Sequence, residues 1–221
     1  MFDALRALVF RFDMLLRRQG RVQEFTKDER CILRVAVGLS HRDLELSDGT
    51  KIQPGQEICE LHFWNEHMPT MSREGPDLKW GLEFYRLAVR SFRSLAAHMA
   101  SEQSFANVMA LQGELALPSG ESRFSLVATG SQLGFDVVDL TLQAGRWGRF
   151  KHFWENIYSW ALMWAFNPGS LRRKRFLGLH RYEFWISRKM FFHLYGAQAG
   201  QFARKSSSST TAASIGKTRR G

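Results

Sequence analysis

The sequence predicts an α+β fold, an antiparallel meander with packed helices, and two observations carry that expectation. Between Cys31 and Trp64 apolar residues tend to alternate with polar ones, and Asp48-Gly49 and Pro54-Gly55 interrupt the run as tight turns do. From Leu78 to Met99 the apolar spacing changes to threes and fours, the period of a helix. Segments of both kinds recur as far as residue 196 without an internal repeat, so a single domain is expected over 1–196. A chain of 221 residues is long enough to bury one sizeable core.

Phe2, Leu5, Leu8, Val9, Phe12, Leu15 and Leu16 share a helical stripe, and Gly20 offers a stop, which predicts a first helix over 2–19. Such a helix can lie on a membrane, but a stripe of this width is expected to dock on the core. Leu33, Val35 and Val37 then alternate with Ile32, Arg34 and Ala36, and short strands follow at 44–46 and 51–52. The strand at 57–64 turns Cys59, Leu61 and Phe63 to one side and Glu60, His62 and Trp64 to the other. Its partner is expected to be 33–37 or 43–46.

After a loop at 69–76, Leu78, Leu82, Tyr85, Val89, Phe92, Ala96 and Met99 predict the buried stripe of the strongest helix, with Lys79, Arg86, Arg90 and Arg93 as a solvated side. Residues 108–117 read as a strand ending in Pro118-Ser119-Gly120, 124–133 as a helix stopped by Gly134, and 135–142 as a further strand. An aromatic helix over 151–166 stops before Pro168. A last strand at 183–186 leads to Ser187, the expected cap of a helix over 188–195 that Gly196 closes. Residues 197–221, with four consecutive serines and little to bury, are expected to be a disordered basic tail.

Charge is distributed unevenly. Residues 1–145 carry 16 Lys/Arg against 19 Asp/Glu, residues 146–196 carry 10 against 2, and residues 197–221 carry 5 against none. The field of that last third attracts phosphates, and Arg172, Arg173, Lys174, Arg175 and Arg188 are the candidate anion-binding residues. Trp and Tyr next to an Arg/Lys run suit a membrane interface, whereas no recognition helix or ribonucleoprotein motif supports nucleic acid, which ranks below it. Charges interrupt the amino-terminal apolar runs too early for an export signal, and the longest apolar stretch, 157–166, is too short for a spanning helix of about 20 residues. Two cysteines in apolar strand patterns suit a reducing compartment. The expected location is therefore cytoplasmic, peripheral to a membrane surface.

Chemistry concentrates where the strand at 57–64 runs out. His62, Asn65, Glu66 and His67 are the candidate catalytic residues, with His62 as a general base and Glu66 as its partner or as an acid. Two histidines and a carboxylate could bind zinc, but the spacing is not His-Glu-x-x-His, and His62 and His67 project to opposite faces unless the chain turns at Asn65. The Asn-Glu pair is also found in glycosidase barrels, which typically need about 250 residues. A structural reading has His62 bonded to Glu60 or backbone, with Asn65 and Glu66 fixing the turn before Pro69. Nucleotide loops, dinucleotide fingerprints, nucleophile elbows and zinc-ribbon cysteine pairs are absent, so no metal or cofactor is expected.

Four short motifs carry a resemblance: Pro54-Gly55-Gln56-Glu57-Ile58, Leu61-His62-Phe63-Trp64-Asn65-Glu66, Leu133-Gly134-Phe135 and Trp185-Ile186-Ser187-Arg188. Together they resemble the bacterial YkoP-like domain over about 30–196. That family occurs alone or appended to polysaccharide deacetylases, and the resemblance implies a link to the cell envelope without a mechanism. The leading functional expectation is an accessory or binding domain at the inner membrane surface in envelope polysaccharide or lipid metabolism. Its partner would be the anionic membrane or an envelope-biosynthesis enzyme. The alternative is a small enzyme with an acid–base or metal site around His62, Asn65, Glu66 and His67.

Overall fold

The computed structural model describes residues 20–70, 77–118, 121–140 and 179–197, together with Arg11 and Met14. Its strands are β1 (Leu33–Leu39), β2 (Leu44–Glu45), β3 (Lys51–Ile52), β4 (Glu57–Phe63), β5 (Ala110–Pro118), β6 (Asp136–Asp139) and β7 (Leu179–Ser187). The helices bounded within the described residues are α1 (Leu78–Ser101), α2 (Glu121–Gln132) and α3 (Arg188–Tyr195), with single 3-10 turns at Asn65–His67 and Gln103–Phe105. Five strands form one sheet in the order β1-β4-β5-β7-β6, antiparallel except between β4 and β5. The fold is α+β as predicted. The parallel pair follows from connectivity, since α1 separates β4 from β5 and carries the chain back to start again from the same edge.

Of the two partners expected for β4, the structure selects 33–39: Leu33 lies opposite Phe63 and Val37 opposite Cys59. The strands at 44–45 and 51–52 leave the meander and pair with each other alone. Each has only two residues between turns, and their apolar side chains pack across the sheet instead of extending it. Leu46 and Ile52 join Ile58, Ala110 and Trp185 in a small second core. The turn glycines Gly49 and Gly55 have φ of 80° and 86°, the left-handed region that tight turns demand.

The main core lies on the other face. Leu33, Val35, Cys59, Leu111, Phe184 and Ile186 from the sheet meet Phe92, Leu95, Ala96 and Met99 of α1 and Phe191 and Tyr195 of α3. The α1 stripe expected to be buried is corrected in its first half, where Leu78 is 80 % exposed, Leu82 49 % and Tyr85 39 %. A helix of 24 residues is about 36 Å long, against about 23 Å for a seven-residue strand, so its first turns run past the sheet. There Trp80 and Phe84 turn inward instead, stacked at 5.3 Å, with the Trp80 indole donating to the Pro69 carbonyl at 2.9 Å. Asp77 caps the helix by accepting from the Trp80 amide at 2.7 Å.

The bounds of α3 match the expectation, as does its cap: Ser187 Oγ accepts from the Met190 amide at 2.9 Å, and the Gly196 amide donates to Phe192. Helix α2 begins three residues before its expected start, β7 begins at Leu179, and β6 is shorter than the strand read at 135–142. The expected helix at 151–166, the run Arg172, Arg173, Lys174 and Arg175, and the tail from residue 198 lie outside the described residues. So does the first helix, apart from Arg11 and Met14, which are helical.

Cys31 and Cys59 are both free, and both have no exposed surface. Burial pushes the Cys59 thiol up to about 12, and Cys31 is also raised by burial. Neither should react with a thiol-specific disulfide reagent at neutral pH in the folded protein, and both should react in denaturant. Because the raised groups resist ionising only in the folded state, stability should fall as pH rises above the ordinary thiol range. A stoichiometric reaction under native conditions at pH 7 would contradict this burial.

Candidate functional site

The second face of the sheet is divided. One end is covered by the β2–β3 hairpin, and beyond it the strands present polar side chains in register. One row crosses all five strands as Ala36, Glu60, Gln112, Trp185 and Asp136. In the next row Arg34 lies opposite His62, and Glu114 lies opposite Glu183. An antiparallel sheet commonly leaves one face to water, but here Arg34, Arg181 and Glu183 are each less than 9 % exposed. Buried charges of this kind need partners, and each has them.

Arg34 is held at one edge of the face. Its guanidinium donates to Glu24 at 3.0 and 3.2 Å and to Glu66 at 3.3 Å, and it lies 4.4 Å above the Trp64 ring. The chain turns at Asn65, as a convergence of the candidates required, but the turn sends them to different places. Glu66 reaches Arg34, while the His67 ring stacks on Trp64 at 3.9 Å. His67 Nδ1 lies 2.8 Å from the Cys31 carbonyl, which only accepts, so this nitrogen carries the proton. No side-chain cap is made at the start of the 3-10 turn that contains Asn65. Thus Glu66 and His67 hold the turn against the sheet.

His62 pairs with Glu60. Its Nε2 lies 3.5 Å from Glu60 Oε2, an ion-pair distance, yet it is shielded from water and has no well-directed hydrogen bond among the described residues. The ring is 42 % exposed, so its open edge is the one away from Glu60. His62 beside it holds the Glu60 carboxyl below the ordinary carboxylate range, against the opposing effect of partial burial, and His41 adds its charge. Gly38 makes room for this arrangement: a β-carbon there would collide with the Glu60 carboxylate.

Farther along the face, Glu114 receives the Arg181 guanidinium. Glu183 Oε2 accepts from Arg42 Nε at 2.9 Å and from the Trp185 indole at 3.1 Å. At the hairpin end, Ser187 Oγ donates to Asp48 Oδ2 at 2.5 Å. Burial works against ionisation of Asp48, but bonds from Ser187 and Thr50 and the nearby Lys189 charge hold its carboxyl below the usual range.

The family model of the YkoP domain matches residues 3–195. The chain belongs to the YkoP domain family. The match begins well before residue 30, so the family domain takes in the amino-terminal stretch as well as the part that carries the resemblance. No curated protein and no solved structure matches the chain.

In this YkoP domain, Arg188 lies apart from the charged face. It donates to the Phe105 carbonyl and lies 5.0 Å over the Phe192 ring, tying the start of α3 to the loop before β5. The described residues contain no group of three His, Cys, Asp or Glu placed to hold a metal ion. Sequence reasoning did not single out Arg34, His41, Glu60, Glu114, Arg181 and Glu183 as site residues. Alternation was the available signal, because Gln112 and Glu114 on β5 and Arg181 and Glu183 on β7 are polar at every second position.

Proposed function

We propose that this YkoP domain is an accessory binding domain of envelope polysaccharide or lipid metabolism, working at the inner membrane surface and holding a polar ligand on the charged face of its sheet. One observation carries the ligand site: three ionisable residues below 9 % exposure, Arg34, Arg181 and Glu183, stand on one face with half-exposed Glu60 and His62. Buried charge is costly and gathers at binding sites more often than at random positions. Among the described residues, Arg34, Arg42 and Arg181 share this face and its edge with Glu24, Glu60, Glu66, Glu114 and Glu183, an excess of carboxylates. That balance favours a neutral or cationic ligand rich in hydroxyl or amino groups over a phosphate.

The membrane part of the proposal is supported by the basic last third of the chain and by the envelope link that the YkoP resemblance implies. Among the described residues no helix is long and apolar enough to cross a membrane, so association would be peripheral. Glucosamine, N-acetylglucosamine and glycerol phosphate test the ligand charge when titrated into the full chain while the His62 ring signals and the Gln112 side-chain amide are followed by NMR. Saturable shifts with either sugar, absent in Glu60→Gln, are expected. Shifts with glycerol phosphate alone, or none on this face with any probe, would overturn the ligand site.

A second reading, an acid–base enzyme, draws on the His62–Glu60 pair. Glu60 titrates below the ordinary range and is ionised at neutral pH, so it would orient the ring while His62 exchanged the proton. In that reading Glu60 takes the part first expected of Glu66, which is bonded to Arg34.

A further inference from the structure

The first turns of α1 expose apolar side chains that no described residue covers. At 100° per residue, Leu78, Leu82 and Tyr85 share an arc of about 60° around the helix, in line with Val89, which is already partly packed against the core. Lys79, Arg86, Arg90 and Arg93 fill the adjoining arc of about 60°, and all four are exposed. Arg90 is paired with Asp28 at 2.6 Å, and Glu83 lies beyond the cationic row. The arrangement is rigid, because Trp80 and Phe84 stack beneath it and Phe84 packs against Phe63 of β4 at 5.9 Å.

We propose that this face of α1 is the surface by which the domain lies on an anionic membrane, an inference that rests on the membrane reading above. An apolar strip bordered by a cationic row suits the level of lipid head groups: the leucines and the tyrosine ring enter the interface and the cations meet phosphates. Charge complementarity selects the lipid over a second copy of the chain, whose own cationic row would be brought close to this one. Three exposed side chains also fall well short of the roughly 800 Å² per partner that stable protein interfaces bury. The site lies on the described part of the chain and is distinct from Arg172, Arg173, Lys174 and Arg175.

Flotation of the full chain with vesicles of phosphatidylcholine, alone or mixed with phosphatidylglycerol, tests it. The unaltered protein should float with the mixed vesicles and not with the neutral ones. The triple variant Leu78→Ser, Leu82→Ser, Tyr85→Ser should bind about tenfold more weakly with an unchanged thermal midpoint, because these side chains are already exposed. If that variant fails to fold, Lys79→Gln, Arg86→Gln, Arg93→Gln decides the matter by the same loss. Retention of full binding by a folded stripe variant would overturn this inference and leave the membrane reading standing. Failure of the unaltered protein to float would overturn both, and a dimer that the stripe variant turns into monomer would assign the face to a second copy.

Discussion

Replacing Phe92 by alanine should lower the folding stability by about 3–5 kcal/mol, enough to consume much of the 5–15 kcal/mol typical of a domain. Phe92 is 5 % exposed and is the meeting point of three elements. Its ring centroid lies 5.0 Å from Tyr195 and 6.0 Å from Phe191 on α3, and 5.5 Å from Phe135 just before β6. Truncation therefore leaves a cavity bounded by rings held from two directions, which cannot collapse easily. Tyr195 is anchored further by its hydroxyl bond to the Leu133 carbonyl at 2.8 Å. Urea unfolding is the measurement, with Leu82→Ala on the same helix as the control. That control should change stability by about 0.5 kcal/mol or less, because Leu82 is already half in water. Equal losses for the two variants would contradict the burial pattern of α1.

The contrast between Phe92 and Leu82 marks what could be read from the residues alone. Helical spacing identified α1 and its approximate bounds, but Leu78, Leu82 and Tyr85 satisfy that spacing as well as Phe92, Ala96 and Met99 do. Which end of a stripe is buried depends on how far the sheet beneath it extends. No local pattern contains that length. Features set by neighbours in sequence were legible: the turns at Gly49 and Gly55, the Ser187 cap, and the alternation of Cys59, Leu61 and Phe63. The parallel pairing of β4 with β5 was not, because it is decided by the path of the chain across the layer of helices.

The site divides in the same way. His62 was found because titratable residues crowd the end of β4, and its partner is Glu60 two residues back along the strand, as the structural reading of the sequence has it. Glu66 and His67 belonged to the crowd only by nearness in sequence, and the 3-10 turn carries them to Arg34 and Trp64. Glu114, Arg181 and Glu183 come from other strands and share the face of Glu60 and His62 only through strand register, while His41 approaches Glu60 from the loop after β1. A polar residue at every second strand position is the ordinary mark of a solvated face, so the burial of Arg181 and Glu183 had no signature of its own.

Glu183 is where the cost of that buried charge can be measured. Its side chain is 11 % exposed and its carboxylate serves two donors at once, Arg42 Nε and the Trp185 indole, while Glu114 stands directly across from it on β5. Glu183→Ala should destabilise the protein by about 2–3 kcal/mol, chiefly by leaving the indole of Trp185, a residue only 1 % exposed, without its acceptor. Arg42 contributes less, since its side chain is 32 % exposed and can be hydrated. Relief of the like-charge contact with Glu114 offsets part of the loss. Glu183→Gln keeps an oxygen for both donors and should cost about 1 kcal/mol. Urea unfolding of the two variants separates the contributions. If Gln costs as much as Ala, the charge on Arg42 rather than the indole bond dominates, and the argument from Trp185 fails. If Ala is neutral or stabilising, the buried carboxylate is not what holds β7 in place, and its retention on this face would then rest on binding alone.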